Sequence, residues 1–419
     1  MPARLLVLSN GHGEDLIALR LIEALVALAP AVTVKVLPLV GEGDAFAAAE
    51  GQGRLERIGP RQQLPSGGFS NQSATGLLAD LGAGLTQLSW RQWRLVRAWG
   101  RQAAPVLAVG DSLPLLLAWA SGAPYGFIGT PKSDQTWATP PPAGWGATTL
   151  ADAYHRCKGS EWDPWEWALM GSPRCRLVAV RDRLTARGLH RRGVAACAPG
   201  NPMMDGGPST PLPAALVGRR RVLLLAGSRM PEAARNFSRL LEALTAAAHG
   251  PAGLTVLMPT GKRPAAEDLT PSLQRSGFRP VPPPAGSGAT AAWRRHDGLD
   301  LLLGPGRFER WAAWAEVGLA TAGTATEQLV GRGVPALSLP GRGPQFTAAF
   351  ARRQSRLLGG AVRPCHDPAE MGAGLEALLE DRELRARLGR IGRRRMGSPG
   401  GSARLAALIH ARLLAGGSG

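Results

Sequence analysis

Short apolar runs alternate with helical patterns throughout the first half of the chain. Five of these runs predict strands, at residues 4–9, 32–37, 105–111, 124–130 and 175–182. The runs are apolar at nearly every position, which is typical of parallel strands that are buried on both faces of a sheet. The first half is therefore predicted to form a doubly wound α/β domain.

A second series of apolar runs begins at residue 220. It predicts strands at residues 220–228, 253–259, 299–304, 316–323 and 334–341. In both halves an apolar strand leads through a glycine turn into a helix, so the sequence predicts two Rossmann-like doubly wound parallel-sheet domains that face each other across a cleft. We assign residues 1–205 to an N-terminal domain, 218–395 to a C-terminal domain, and 396–419 to a helix that packs back on the N-terminal domain.

Length and charge narrow the class of protein. The 419 residues suffice for two cores, and a hydrophobic content of 44% is ordinary for a globular chain. The net charge of +18 comes almost entirely from arginine. Because no nucleic-acid reader fold or aromatic RNA-binding motif accompanies this charge, we expect no nucleic-acid partner.

The sequence predicts a cytoplasmic protein. No uninterrupted apolar stretch is long enough to cross a bilayer, and the first residues become polar too early for a secretory signal. The four cysteines lie far apart without a C-x-x-C pair, so we expect reduced thiols rather than disulfides or a zinc site. The sequence does not specify an oligomeric state.

The segment "LLLAGSRMPE" predicts an anion site at the end of a buried strand. Gly227 lets the backbone approach a ligand, and the amides that open the following helix favour negative charge. Ser228 adds a hydroxyl, and Arg229 can donate to two phosphate oxygens at once. The alternative is a simple turn in which Arg229 pairs with Glu232.

A second segment, "TAGTATEQLVGRGVPALSLP", has the same design at another strand end. Gly323 and Thr324 would offer backbone amides and a hydroxyl to phosphate. Glu327, one turn into the helix, can accept hydrogen bonds from both hydroxyls of a ribose, although it could also serve only the helix dipole. Together the two segments favour a nucleoside diphosphate that bridges both loops.

These segments, together with "GNPMMD" at residues 200–205, resemble lipid-A-disaccharide synthase, a two-domain glycosyltransferase of the GT-B type that uses a UDP-sugar. More particularly, the chain is similar to a divergent group known as lipid-A-disaccharide-synthase-related proteins. The resemblance implies that Arg229 contacts the diphosphate, that Gly323 and Thr324 contact the phosphates, and that Glu327 contacts the ribose. It assigns acceptor recognition to the N-terminal domain and the nucleotide-sugar donor to the C-terminal domain.

The segment "GRGPQFTAAFA" resembles the donor-sugar loop of GT-B enzymes. The resemblance places Gln345 near the sugar hydroxyls and Phe346 in the adjoining wall. An exposed loop in which Gln345 caps a helix is the alternative.

The glycine-rich turn "NGHGED" follows the first predicted strand. Asn10, Gly11 and Gly13 would bring backbone amides close to the acceptor, with His12 beside the reacting sugar. The turn is not a dinucleotide fingerprint, because Leu16 stands where a third glycine would be needed. The acids Glu14 and Asp15 could be reactive or could cap the helix.

An inverting transferase needs a base for the acceptor hydroxyl and positive groups for the leaving nucleotide. The first candidate for the base is Asp111, which follows a buried strand; His12 is the second. Asp111 could equally be a helix N-cap, and the two roles are compatible. No D-x-D motif ends an apolar strand, so we expect no metal and no cofactor, with a UDP-sugar as substrate.

Two further segments concern the acceptor. Lys132 and Asp134 follow another predicted strand and could line an acceptor pocket or form a plain loop. In the helical segment 85–102, Arg94, Arg97 and Arg101 share one arc, while Leu88, Trp93, Val96 and Trp99 form an apolar side. That pattern fits either docking on an anionic membrane surface or a core-packed helix with a solvated basic face.

The sequence therefore predicts an inverting, metal-independent glycosyltransferase. It would move an N-acetylglucosamine-like sugar from a UDP-sugar to a lipid, a glycolipid or another membrane-associated acceptor. The protein would be cytoplasmic and bind the inner face of the plasma membrane. The alternatives are a hydrolysing UDP-sugar 2-epimerase, which shares the fold, and a non-catalytic protein that binds sugar nucleotides.

Overall fold

The computed structural model describes residues 3–11, 13–62, 84–146, 149–207, 210–246, 253–341, 343 and 346–415. The chain forms two compact units. Unit 1 contains Met1–Ala138, Thr149–Asp205 and Ser398–Gly419, and unit 2 contains Thr139–Thr148 and Gly206–Gly397.

Unit 1 is built on a parallel sheet. Its strands are β1 (Arg4–Ser9), β2 (Thr33–Pro38), β3 (Glu56–Arg57), β4 (Val106–Gly110), β5 (Tyr125–Gly129), β6 (Cys175–Val180) and β7 (Ala196–Cys197). Their spatial order is β3-β2-β1-β4-β5-β6-β7. The helices described here are α1 (Gly13–Leu28), α2 (Ala47–Gly51), α3 (Leu85–Gly100), α4 (Ser112–Ala120), α5 (Gln135–Ala138), α6 (Leu150–Lys158), α7 (Pro164–Met170) and α8 (Arg183–His190). The C-terminal helix α16 (Gly401–Ile409) also belongs to this unit.

Strand β1 shows why the apolar runs are continuous. Leu5 and Val7 lie in a core with α1 and α16, whereas Leu6 and Leu8 lie in a second core with α3 and α4. Successive side chains point to opposite faces, so a strand covered by helices on both sides needs apolar residues at every position.

Unit 2 has a larger sheet. Its strands are β8 (Arg220–Leu225), β9 (Leu254–Thr260), β10 (Phe278–Val281), β11 (Ala291–Arg295), β12 (Asp300–Pro305), β13 (Val317–Ala320), β14 (Ala336–Ser338) and β15 (Val362–Pro364). The spatial order is β10-β11-β12-β9-β8-β13-β14-β15. The helices described here are α9 (Glu232–Ala246), α10 (Ala266–Arg275), α11 (Phe308–Trp314), α12 (Thr324–Gly331), α13 (Ala348–Leu357), α14 (Pro368–Glu380) and α15 (Arg382–Met396).

The prediction of two doubly wound α/β domains is confirmed, but the second sheet is not purely parallel. Strand β11 pairs antiparallel with both β10 and β12. This extension was not predicted, because β10 and β11 carry arginine and proline residues and lie at the edge of the sheet, where polar residues are tolerated.

The predicted domain limits need one correction. Residues 139–148 were assigned to the N-terminal domain, yet this proline-rich segment belongs to unit 2. Trp145 stacks on His366 with ring centroids 4.4 Å apart, and the Thr139 carbonyl accepts a 2.7 Å hydrogen bond from Arg356. Tertiary contacts therefore assign the segment to a unit that is distant in the sequence.

Candidate functional site

The two predicted phosphate loops of unit 2 lie at adjacent strand ends. From β8 the chain goes to β9 on one side of the sheet and later returns to β13 on the other side, so the strand order reverses between β8 and β13. Ligands of open α/β sheets bind at such a switch point. The amide of Thr321, just after β13, donates a 2.9 Å hydrogen bond to Leu225, the last residue of β8.

The first loop is open at its tip. Gly227 has a φ of +91°, in the left-handed region that favours glycine, and both Gly227 and Ser228 are exposed. Arg229 is half-buried, and this burial lowers the pKa of its guanidinium, while the nearby Glu232 raises it. Helix α9 begins three residues later at Glu232. Strand β8 is thus followed by a glycine, a hydroxyl group, an arginine and a helix N-terminus.

The second loop begins helix α12 directly after Gly323. Thr324 is its first residue, and Glu327 lies in the first turn with a half-buried side chain. The Gly323 carbonyl accepts a 3.0 Å hydrogen bond from the buried Gln354 side chain on α13. Gln354 therefore holds the backbone of the predicted phosphate loop.

The predicted donor-sugar loop is only partly described. Gln345 lies outside the described residues. Phe346 is only 4% exposed, and its ring lies 5.1 Å from the Phe350 ring. The Phe346 side chain is thus packed against Phe350 on α13, and its place in the wall beside the sugar stays a prediction.

Two supporting residues of this site were not predicted. Gln354 contacts Gly323 from a helix that lies 31 residues further along the chain. Asn236 on α9 is buried, donates weakly to the Ala226 carbonyl over 3.5 Å, and lies beside Gly341. In the sequence, both residues are recognisable only as side-chain amides on amphipathic helices. The sequence alone does not identify the group to which each amide donates.

Unit 1 has its own switch point, between β1 and β4. Asp111 follows β4 and caps α4, because its Oδ1 accepts a 3.2 Å hydrogen bond from the Leu113 amide. The Asn10 side chain, from the loop after β1, also hydrogen-bonds to this carboxyl group. The structure thus brings together two predicted site residues that are a hundred positions apart.

The protonation of Asp111 is controlled by several neighbours. Burial raises its pKa above the usual range, and the negative charge of Glu166 acts in the same direction. The hydrogen bonds from Leu113 and Asn10 lower the pKa, as does the positive charge of Lys132. A carboxylate with a raised pKa is a candidate general base.

The glycine-rich turn is held from beneath by Asp15. Its Oδ1 accepts hydrogen bonds from the Ser9 hydroxyl at 2.6 Å and from the Gly11 amide at 3.2 Å. Burial raises the pKa of Asp15 to about 6, although both hydrogen bonds oppose this shift. Gly11 has a φ of +87°, and a Cβ there would lie 2.8 Å from the Val40 carbonyl oxygen. Asp15 is therefore a structural acid.

The remaining residues of the turn belong to helix α1 or precede it. Gly13 is the first residue of α1. Glu14 accepts a 3.4 Å hydrogen bond from the Thr130 hydroxyl, which connects α1 to the end of β5. His12, the second candidate base, lies outside the described residues.

Lys132 and Asp134, both predicted to line an acceptor pocket, have different environments. Lys132 Nζ lies 2.7 Å from both carboxylate oxygens of the buried Glu166. Asp134 is buried, and its Oδ1 accepts a 2.6 Å hydrogen bond from the Glu161 amide. Burial raises the pKa of Asp134 to about 7. The prediction for Asp134 therefore needs correction, because a side chain buried inside unit 1 does not line an open pocket.

Helix α3 packs its apolar side into the unit. Leu88, Val96 and Trp99 are buried, which agrees with the alternative of a core-packed helix with a solvated basic face. The arginine arc is exposed, and so is Trp90, which stacks on Trp93 at 4.7 Å. Across the part of the chain that the structure describes, no helix combines the length and the apolar character needed to span a bilayer.

The segment "GNPMMD" holds the C-terminal helix in unit 1. Asp205 accepts hydrogen bonds from the amides of Gly400, Gly401 and Ser402, at the start of α16. A Cβ on Gly401 would lie 2.7 Å from the backbone of Asn201, so only glycine fits there. These contacts connect segments almost two hundred residues apart, and they are structural.

The two strand-end sites suit different ligands. In unit 2, two glycine loops at helix N-termini, two hydroxyl groups and Arg229 are suited to phosphate oxygens. In unit 1, Asp111 is suited to accept a proton. Within the described stretches, no three His, Cys, Asp or Glu side chains lie close enough together to hold a metal ion.

Comparison with known proteins shows the fold. No family model and no curated protein sequence matches the chain. S. aureus MnaA in complex with UDP has a TM-score of 0.59 and 14% identity, covering 99% of this chain and 98% of the other. A Listeria monocytogenes protein described as a UDP-N-acetylglucosamine 2-epimerase gives 0.58 and 14%, with 98% and 96% covered. MurG of Acinetobacter baumannii gives 0.54 and 15%, with 98% and 100% covered. The chain shares the fold of these proteins, which is the GT-B fold.

Proposed function

We propose that the chain is an inverting, metal-independent glycosyltransferase that uses a UDP-sugar. The sugar would be N-acetylglucosamine-like, and the acceptor a lipid-linked or otherwise membrane-associated molecule. Among proteins with the GT-B fold, the chain would belong with the lipid-A-disaccharide-synthase-related proteins, because its phosphate loops resemble their motifs.

The observation that carries this proposal is the position of the two glycine loops. Gly227, Ser228 and Arg229 follow one strand, Gly323 and Thr324 follow its neighbour, and the strand order reverses between them. One diphosphate could contact the amides of both loops. Glu327, in the same helix as Thr324, would accept the hydroxyls of the attached ribose.

The solved structures that share the fold support the choice of nucleotide. One of them is a complex with UDP, and another is described as acting on UDP-N-acetylglucosamine. We assign the same nucleotide to this chain. UDP-sugar is then the substrate, and no cofactor is required.

In the proposed reaction, Asp111 takes the proton of an acceptor hydroxyl, with His12 as the alternative base. The acceptor oxygen attacks C1 of the sugar, and the bond between C1 and the β-phosphate oxygen breaks with inversion. Arg229 and the loop amides stabilise the negative charge on the released UDP. Asn10, Gly11 and Gly13 would contribute to the acceptor site around this base.

A surface on unit 1 supports a membrane-associated acceptor. We define the basic-aromatic face as Trp90, Arg94 and Arg97 on α3 together with Leu116 and Trp119 on α4, all of which are exposed. The helices are adjacent, because Arg97 donates to the Ala120 carbonyl over 3.1 Å. Helix α3 contains no acidic residue. Exposed tryptophan beside arginine suits the inner, anionic leaflet of the plasma membrane.

Calorimetric titration of the full chain with UDP tests the nucleotide site. We expect binding that Glu327→Ala weakens by at least about tenfold, since hydrogen bonds to a charged group contribute roughly 1.5–3 kcal/mol. Glu267→Ala is the matched control, because Glu267 is an exposed first-turn glutamate of α10 in the same unit. Absence of UDP binding, or equal affinity in both variants, would contradict the proposal.

A 2-epimerase is the second candidate, and the likeness in fold to the Listeria protein favours it. Nuclear magnetic resonance of the products separates the two reactions. An epimerase releases UDP and a free epimerised sugar from UDP-N-acetylglucosamine alone, whereas a transferase needs membrane lipid as acceptor. Binding of UDP without either product would indicate a non-catalytic protein.

A further inference from the structure

Glu166 on α7 is a fully buried carboxylate with several donors. It accepts hydrogen bonds from the Ser112 hydroxyl, from Lys132 Nζ at 2.7 Å and from the Asp163 amide at 2.7 Å. Burying an ionised carboxylate is costly unless it is paired and hydrogen-bonded. The Lys132 ammonium group and the two further donors therefore offset the cost of burying Glu166.

The lysine of this pair lies beside the candidate base. Its Nζ is 3.4 Å from the hydroxyl of Ser112, the residue that follows Asp111, and 4.8 Å from the centre of the Trp162 ring. The indole and the carboxylate restrict the ammonium group from two sides, so its position relative to Asp111 is well defined.

We propose that Lys132, held in place by Glu166, is the positive charge that keeps Asp111 ionised so that it can accept the acceptor's proton. This inference rests on the proposed function and deepens it, because it assigns Lys132 to the base rather than to contact with the acceptor. Glu166 is then a positioning residue. The proton moves from the acceptor hydroxyl to Asp111, the new bond forms at C1, and the electron pair of the broken bond leaves with UDP.

The other groups around Asp111 do not replace this charge. Asn10 and the Leu113 amide are neutral donors, while Glu166 is negative and disfavours ionisation of Asp111. Glu14 also approaches, since its Cγ is 3.4 Å from where a Cβ on Gly110 would be. The negative charge of Glu166 acts on the base, and the positive charge of Lys132 offsets it.

The test measures the titration of Asp111 in the full-length protein. Carbon-13 resonance of labelled aspartate carboxyl groups reports it directly, with Asp111→Asn identifying the signal. We expect Lys132→Met to move the titration to higher pH. Glu166→Gln keeps an oxygen that accepts a hydrogen bond from Lys132 but removes the negative charge, so we expect it to move the titration to lower pH; each shift should be about half a unit to one unit. Opposite shifts in the two variants would distinguish charge effects from misfolding, because a damaged fold would not raise the titration pH in one variant and lower it in the other.

Lys158→Met is the matched control. Lys158 pairs with Asp163 in the same unit, and its charge is not among the strongest influences on Asp111. The control should titrate as the parent does. If both Lys132→Met and Glu166→Gln leave the Asp111 titration unchanged, or shift it in the same direction, the inference is wrong.

Activity supplies an independent readout. If the chain transfers sugar from a UDP-sugar, the acidic limb of the kcat/KM profile should follow the same two shifts. If the resonance shifts occur but no UDP-sugar is bound or consumed, the proposed function fails while the electrostatic role of Lys132 stands. If sugar transfer occurs with no shift in either variant, the function stands and the role of Lys132 fails.

Discussion

Gln354 on α13 donates a 3.0 Å hydrogen bond from Nε2 to the carbonyl of Gly323, the residue before α12. Phe350, one turn earlier on α13, lies 3.3 Å from where a Cβ on Gly323 would be. Helix α13 therefore supports the loop whose amides are proposed to bind phosphate. A site that must hold its donors in place before the ligand arrives depends on such support.

We predict that Gln354→Leu weakens UDP binding by about fivefold, because one hydrogen bond to the loop contributes about 1 kcal/mol. The substitution keeps the apolar volume of the side chain and removes its donor. Gln274→Leu, at an exposed position on α10, is the control for calorimetry. Unchanged UDP affinity in a folded Gln354→Leu protein would show that Gln354 does not support the loop.

The contact between Asp205 and α16 predicts a loss of stability. Asp205→Ala should lower the free energy of unfolding in urea by about 2 kcal/mol, since it leaves three amides at the start of α16 without their acceptor. Asp381→Ala removes a cap with one amide partner on α15 and should cost about 1 kcal/mol. Faster hydrogen exchange confined to α16 in Asp205→Ala would show that the lost stability comes from this contact. Equal losses of unfolding free energy in the two variants would contradict the prediction.

Asp134 predicts a dependence of stability on pH. Its folded pKa of about 7 lies above the ordinary value of 3.8, so the folded chain holds a proton that the unfolded chain has released. Stability should therefore fall as pH rises between these values.

Asp134→Asn keeps the acceptor for Glu161 and removes the titration, so its free energy of unfolding should change less between about pH 4 and about pH 7. Asp297→Asn is the control, because the hydrogen bond from Arg295 holds the pKa of Asp297 below its usual range. A pH dependence in Asp134→Asn as steep as in the parent would show that Asp134 is not its source.

The basic-aromatic face predicts binding to anionic vesicles. The chain should sediment with vesicles of equal parts phosphatidylglycerol and phosphatidylcholine, and less with phosphatidylcholine alone. Arg94→Gln should weaken this binding about fivefold, because each basic residue near an anionic surface contributes about 1 kcal/mol. Arg275→Gln on α10 of unit 2 is the control, because it also removes one positive charge but lies outside the basic-aromatic face. Equal binding to both vesicle types would exclude an anionic surface as the partner.

The strands that the sequence predicted best are the central ones. Strands β1, β4, β5 and β8 are apolar at nearly every position because helices cover both of their faces. Strands β3, β7 and β15 were not predicted, because a strand of two or three residues at a sheet edge has no apolar run to indicate it. The β10–β11 extension was not predicted for a related reason, as its exposed positions carry arginine.

The sequence alone determined the fold class and the loops that follow the central strands. Both are local properties, since an apolar run and the glycine after it mark a strand end wherever the strand lies in the sheet. Only the tertiary structure decided that Asp134 is buried, that the apolar side of α3 packs in the core and that Glu166 pairs with Lys132. Those outcomes depend on contacts between segments distant in the chain, and the pattern of residues along one segment does not specify its partner.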